Sequence, residues 1–111
     1  PFVHVAAQAG DAQAAAVFDR AAQELIACVL ATRRTLAVPA DIVLPVSHSG
    51  GVLSGVTMLL EAFRRGLSVA SMPFEYRAPE HTPDVGAALY AARLVGTPLS
   101  DSALRRLSSA A

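Results

Sequence analysis

The sequence VSHSGGV, residues 46–52, decides the fold class of this chain because it joins a short strand to a helix through two adjacent glycines. Val46 to Ser49 predicts a strand, and the Gly50-Gly51 pair predicts the tight turn that ends it. Ser54 follows as the predicted N-cap of the next helix. A strand that turns directly into a helix is typical of layered α/β folds.

Amphipathic helices are predicted on both sides of this turn. Apolar residues recur every three or four positions from Ala15 to Val29, which predicts a helix over residues 12–36 with Asp11 as its N-cap. The helix after the turn carries the same spacing through Leu59, Phe63 and Leu67. Gly66 is expected to weaken the end of that second helix.

The remaining sequence predicts one more strand and two more helices. Ser71 to Arg77 alternates enough to form a strand. Thr82 and Pro83 suit the N-cap and first position of a helix that runs to Gly96, and Ser100 caps a short final helix. The order helix, strand, helix, strand, helix predicts an α/β fold with few parallel strands. Because two strands alone are marginal in water, we expect further strands elsewhere in a longer protein or in a second chain.

Composition excludes several classes of protein. The 111 residues carry nine Arg, no Lys and nine acidic residues, so the zero net charge argues against nucleic-acid binding. With 53% hydrophobic and 16% charged residues, the chain is too apolar to be disordered. No apolar run approaches the roughly 20 residues of a membrane span. The Ala-rich, Lys-free composition is typical of a GC-rich bacterial genome.

Cysteine and histidine usage predicts neither disulfides nor a metal site. Cys28, the single cysteine, lies at a helix position that predicts burial in the core. Because a single cysteine cannot form an internal disulfide, the sequence gives no sign of an oxidising compartment, and we expect a cytoplasmic protein. His4 and His81 are too far apart in sequence, and too poor in carboxylate neighbours, to suggest a metal site. His48 on a predicted strand indicates hydrogen-bonded packing, and we assign it no catalytic role.

Two glycine positions carry the possible binding chemistry. Gly50-Gly51 would let a flat ligand lie directly on the backbone, beside the amides of a helix N-terminus, although such a pair more often marks an ordinary tight turn. The spacing fits neither a P-loop nor a dinucleotide fingerprint. Gly86 costs about 1 kcal/mol in a helix, so something is expected to approach closely there. Close packing on the loop or a strand, and the floor of a nucleotide pocket, both remain open.

Four motifs stand in an order that resembles a known family: AAQAGD at 6–11, SGGV at 49–52, LLEAF at 59–63 and PDVGAAL at 83–89. Together they resemble the BadF/BadG/BcrA/BcrD ATPase family, and most closely its N-acetylglucosamine kinase branch. The resemblance covers nearly the whole chain and matches the last third of such a kinase. The chain departs from the family at His48, where an aliphatic or small residue is usual, and at Ser54-Gly55, where a longer polar pair often begins the helix.

The resemblance implies a fold and a set of site residues. The family belongs to the superfamily of sugar kinases, actin and heat-shock chaperones, whose two ribonuclease H-like lobes close over ATP. Residues 1–111 would be the C-terminal part of the ATP-binding lobe, with the N-terminal lobe absent from this chain. Ser49, Gly50, Gly51 and Gly86 would contact the nucleotide. The catalytic Asp, the phosphate hairpin and most contacts to Mg²⁺ would lie in the missing N-terminal part, so no catalytic or metal-binding residue is expected here.

The resemblance therefore implies a transferase that phosphorylates an amino sugar, N-acetylglucosamine or glucosamine, with ATP and Mg²⁺ as cofactors. One alternative is the family's ATPase branch, which activates dehydratases or reductases through an iron–sulfur cluster and needs more cysteines than Cys28. Another is a non-catalytic sugar-sensing regulator or interaction module. Alone, the chain is expected to be inactive and to form homodimers or otherwise self-associate, since its sheet edges would be unpaired.

Overall fold

A computed structural model of the chain describes residues 2–109, with side chains to residue 107, as six helices and two strands. Mixed α/β structure with a small parallel sheet is confirmed, although most of the described residues are helical. In chain order the elements are α1 (Phe2–Gln8), α2 (Ala12–Thr35), β1 (Leu44–Val46), α3 (Gly51–Gly55), α4 (Thr57–Ser68), β2 (Phe74–Tyr76), α5 (Pro83–Leu94) and α6 (Asp101–Ser109).

Helix α2 begins where its sequence predicts. The Asp11 carboxylate accepts hydrogen bonds from the amides of Gln13 and Ala14 at 2.8 and 3.0 Å, which satisfies two amides that the helix itself leaves free. Gly10 precedes this cap with a φ of +94°, a backbone conformation that glycine adopts without strain. The segment before it, which the sequence left unassigned, is helix α1, and it packs against α2.

The sheet consists of the two parallel strands, with Leu44 opposite Phe74 and Val46 opposite Tyr76. These four side chains are half-buried on one face, whereas Pro45 and Glu75 are exposed on the other. The predicted strand over residues 46–49 begins and ends too late, and the predicted strand over residues 71–77 is too long. Pairing ends where the Arg77 amide donates to the Val46 carbonyl at 2.8 Å. Beyond this hydrogen bond the two segments lead to different helices, α3 and α5. Val46 alone of the predicted residues 46–49 lies in β1.

The core forms where α4 packs against both α2 and β2. Leu59, Phe63 and Leu67 are buried on one face of α4, as their spacing predicts, and Ala22 meets them from α2. Ser54 is not the N-cap of this helix. It lies inside the short helix α3, where its hydroxyl donates to the Gly50 carbonyl at 3.1 Å, and α4 begins after Val56.

Gly66 lies inside α4 and permits close contact with α2. A β-carbon built on Gly66 would overlap Cδ1 of Ile26 and lie 3.3 Å from its Cγ1. The glycine therefore makes room for a side chain of the neighbouring helix, which the prediction of a weakened helix end did not foresee.

A buried arginine ties the end of α2 to the starts of both strands. Arg33 is only 2% exposed, and its guanidinium donates to the carbonyls of Pro73 at 2.8 Å, Ile42 at 2.6 Å and Pro39. Its charge also lies 5.3 Å from the centre of the Phe74 ring. Within the described part of the chain Arg33 has no ion pair, so carbonyl dipoles and the aromatic face compensate the charge.

Cys28 is exposed, so its predicted burial is wrong. The α4 contact of α2 runs through Ala22, Leu25, Ile26 and Val29, and Cys28 lies outside that set. Among the described residues, none of the helices combines the length and the apolar character that crossing a membrane requires.

Candidate functional site

A cleft of about 500 Å³ lies where the two parallel strands end. One wall is the segment from β1 into α3, and the other is the segment from β2 into α5. The carboxyl ends of parallel strands are the usual ligand-binding edge of α/β sheets. The lining residues are His48, Ser49, Gly50, Ser54, Pro79, Glu80, His81, Thr82, Pro83, Val85, Gly86 and Leu107.

Three of the four residues predicted to bind a nucleotide line this cleft. Ser49 and Gly50 belong to the first wall, and Gly86, more than 30 positions later in the sequence, belongs to the second. Gly51 is the first residue of α3 and does not line the cleft. The structure thus brings together the two glycine motifs that the sequence offered as the floor of one nucleotide pocket.

The glycines of the two predicted motifs face open space. A β-carbon built on Gly50, Gly51 or Gly86 would meet no atom within 4 Å. The interpretation that Gly86 packs closely on the loop or on a strand is therefore wrong, because α5 does not approach either one at that point. Gly50 has a second reason to be glycine, since its φ is +97° where it precedes α3.

Helix α5 begins at the cleft with Thr82 as its N-cap residue and Pro83 at the first helical position, as predicted. The hydrogen bond from Thr82, supported by bonds to backbone amides of Asp84 and Val85, lowers the pKa of the Asp84 carboxyl from its ordinary value. The Gly86 amide donates to the Thr82 carbonyl at 2.9 Å. The first turn of α5 therefore already has acceptors within the chain and holds a negative charge.

Side chains from β2 and from the segment between β1 and α3 form a series of hydrogen bonds that the sequence did not predict. The Tyr76 hydroxyl lies 2.9 Å from Nδ1 of His48, and Nε2 of His48 lies 3.3 Å from Oγ of Ser54. The Tyr76 and His48 rings are nearly parallel, 6.0 Å apart. His48 is thus hydrogen-bonded, as its sequence position indicated, although it lies in the loop after β1.

The lining residues suit an uncharged part of a ligand better than they suit a row of phosphate groups. The cleft has backbone, hydroxyl and imidazole groups, one carboxylate at Glu80 and no arginine. Among the described residues, no three His, Cys, Asp or Glu side chains converge as metal ligands. The donor set in this part of the chain therefore does not fit Mg²⁺.

Comparison of the chain with known protein families, with curated proteins and with solved structures finds no match. The family resemblance of the four motifs accordingly stays a prediction.

Proposed function

We propose that this chain is the C-terminal part of the ATP-binding lobe of a two-lobed kinase that phosphorylates N-acetylglucosamine or glucosamine. The observation that carries the proposal is the common cleft of Ser49, Gly50 and Gly86 at the carboxyl ends of the strands. A ribonuclease H-like lobe would place its nucleotide at this position relative to the sheet. The open space beside the glycines leaves room for a ligand to lie against the backbone.

In this proposal the cleft holds the adenosine end of ATP. No lining residue carries a fixed positive charge, and the ionised Asp84 at the start of α5 would repel a phosphate placed there. The phosphates would therefore extend away from the cleft, toward residues outside this chain. Phosphoryl transfer depends on positioning and on charge neutralisation, so this chain would supply binding and orientation while other residues supply the base and the metal.

The small core supports the assignment to one part of a larger lobe. Among the described residues, the buried hydrophobic set comprises only Ala7, Ala22, Leu59, Ala62, Phe63 and Leu67. The radius of gyration is 17.0 Å, compared with about 13 Å for a compact domain of this length. A sheet of two strands with one uncovered face is the kind of surface that further strands or helices cover.

Binding and turnover of the full-length protein test the proposal. We expect ATP to bind by calorimetry, and ADP to be released when N-acetylglucosamine or glucosamine is added. Gly86→Leu should abolish ATP binding because its side chain would fill the cleft. Ala87→Leu is the matched control, since Ala87 is exposed on the same helix and does not line the cleft.

Other outcomes contradict the proposal in distinct ways. ATP hydrolysis that ignores amino sugars would favour an ATPase that activates another enzyme. Sugar binding without phosphoryl transfer would favour a regulator. Unchanged ATP affinity in a folded Gly86→Leu variant would show that the nucleotide does not bind in this cleft.

A further inference from the structure

The hydrogen bonds around His48 have a direction that the chemistry of their ends fixes. The Gly50 carbonyl can only accept, so the Ser54 hydroxyl uses its single proton on that bond. The Ser54 oxygen must then accept from Nε2–H of His48. In a neutral imidazole this leaves Nδ1 as the acceptor, and the Tyr76 hydroxyl donates to it.

We propose that Tyr76, through His48 and Ser54, positions the Gly50 carbonyl and thereby sets the affinity of the cleft for its ligand. Tyr76 is not a lining residue of the cleft, so it acts as a positioning residue. The proposal rests on the proposed function for the identity of the ligand, an adenine nucleotide. The hydrogen-bond chain itself can be observed without any ligand.

Tyr76 is well placed to serve as the fixed end of this chain. Its backbone is paired in β2 opposite Val46, and its ring packs against the core. The Arg64 guanidinium from α4 lies 5.0 Å from the centre of that ring. At the other end, Gly50 lies in a loop with a positive φ, and a β-carbon built on it would meet no atom within 4 Å. Tyr76 is therefore held by the sheet, and the hydrogen bonds through His48 and Ser54 restrain Gly50 in the loop.

A loop held in its binding conformation before the ligand arrives loses less entropy on binding. Removing the Tyr76 hydroxyl should leave the ring, its stacking on His48 and its contact with Arg64 in place, while His48 loses its donor. Ser54 has the larger effect, because its hydroxyl both accepts from His48 and donates to Gly50.

Ligand affinity in the full-length protein is the first measurement. We expect Tyr76→Phe to weaken ATP binding about fivefold and Ser54→Ala about tenfold, as losses of one and two neutral hydrogen bonds. Ser54→Thr keeps the hydroxyl and should stay within about twofold of the parent. The controls are Tyr90→Phe, at an exposed tyrosine of α5, and Ser68→Ala, whose hydroxyl bonds the Arg65 carbonyl on α4. Equal losses in a variant and its control would overturn the positioning role.

The second measurement is the nitrogen spectrum of His48 in protein labelled with ¹⁵N-histidine, recorded without ligand about two pH units above the ordinary imidazole pKa. His48→Gln assigns the signal. We expect a proton on Nε2, a shifted Nε2 resonance in Ser54→Ala, and a shifted Nδ1 resonance in Tyr76→Phe. A proton on Nδ1, or a spectrum that neither substitution changes, would contradict the proposed hydrogen bonds from Tyr76 to Gly50, whether or not ATP binds. If the spectrum is as expected and ATP does not bind, the proposed function fails and the hydrogen-bond chain stands.

Discussion

Two glycines, Gly66 and Gly86, lie inside helices for opposite reasons. Gly66 faces Ile26 so closely that any side chain would overlap it, whereas a side chain on Gly86 would meet open space in the cleft. A helical glycine costs about 1 kcal/mol relative to alanine in either place. Packing between α2 and α4 accounts for the first glycine, and nothing within the described chain accounts for the second. The space beside Gly66 is thus filled by a side chain of α2, whereas the space beside Gly86 is open to a ligand.

The largest effect is expected in the packed region, at Arg33. Arg33→Met keeps the apolar stem but removes the donors for the carbonyls of Pro39, Ile42 and Pro73. Part-buried carbonyls would lose their donor and the contacts of the buried guanidinium would be lost, so we expect a loss of about 3 kcal/mol in the free energy of unfolding, measured by urea denaturation.

Arg34→Met is the matched control, because Arg34 is the exposed neighbour on the same turn of α2. It should change stability by less than about 0.5 kcal/mol. If the two variants proved equally stable, Arg33 would have no structural role and the link between α2 and the strands would be incidental.

A double-mutant cycle tests the contact between Gly66 and Ile26. Gly66→Ala should destabilise the protein by about 1 kcal/mol, because the overlap with Ile26 exceeds the gain in helix propensity. In an Ile26→Val background, which removes Cδ1, the same substitution should be neutral or stabilising. A coupling energy near zero in thermal or urea unfolding would mean that the glycine is not there to admit Ile26.

Gly86→Ala should have the opposite sign. The added methyl group meets no atom, so the helix gains up to about 1 kcal/mol of stability. Nucleotide affinity should fall in the same variant, since the methyl group occupies part of the cleft. Thermal unfolding and ATP titration of the same preparation measure both effects. Destabilisation by this substitution would contradict the open environment of Gly86.

The smallest effect is expected at the ion pair between α2 and α4. Arg65 and Asp19 lie 3.9 Å apart, and their side chains are 67% and 62% exposed. Solvent screens such a pair, so Asp19→Asn should change stability by less than about 0.5 kcal/mol. A larger loss, abolished by added salt, would show that charge contributes to a contact we assign to apolar packing.

Features that depend on neighbours in sequence were predictable. The spacing of Leu59, Phe63 and Leu67 and the caps at Asp11 and Thr82 are local patterns, and the structure has them as predicted. Strand ends were not predictable, because they depend on where two segments about 30 residues apart stop pairing. Arg33 was missed for the same reason, since its acceptors lie on two separate parts of the chain, the loop before β1 and the segment before β2.

The candidate site divides along the same line. Ser49, Gly50 and Gly86 attract attention through local turn chemistry and through the family resemblance. Tyr76 carries no such local signal, because its role follows from the parallel pairing that brings the end of β2 beside the loop after β1. The local signal at Ser54 predicts an N-cap, which is not the role that the structure gives it. A rule that compares the residues at the ends of adjacent parallel strands would have found Tyr76 beside His48.

The guanidinium of Arg33 fixes the starts of both strands relative to each other. It holds the chain immediately before β1, through Ile42, and immediately before β2, through Pro73. Each strand is only three residues long, so this fixed point lies about 10 Å from the end where the cleft begins. With their starts tied together, the two walls cannot slide past one another along the strand direction. Because the strands also stay paired up to the hydrogen bond between Arg77 and Val46, any widening of the cleft must take place in the segments that follow the strands.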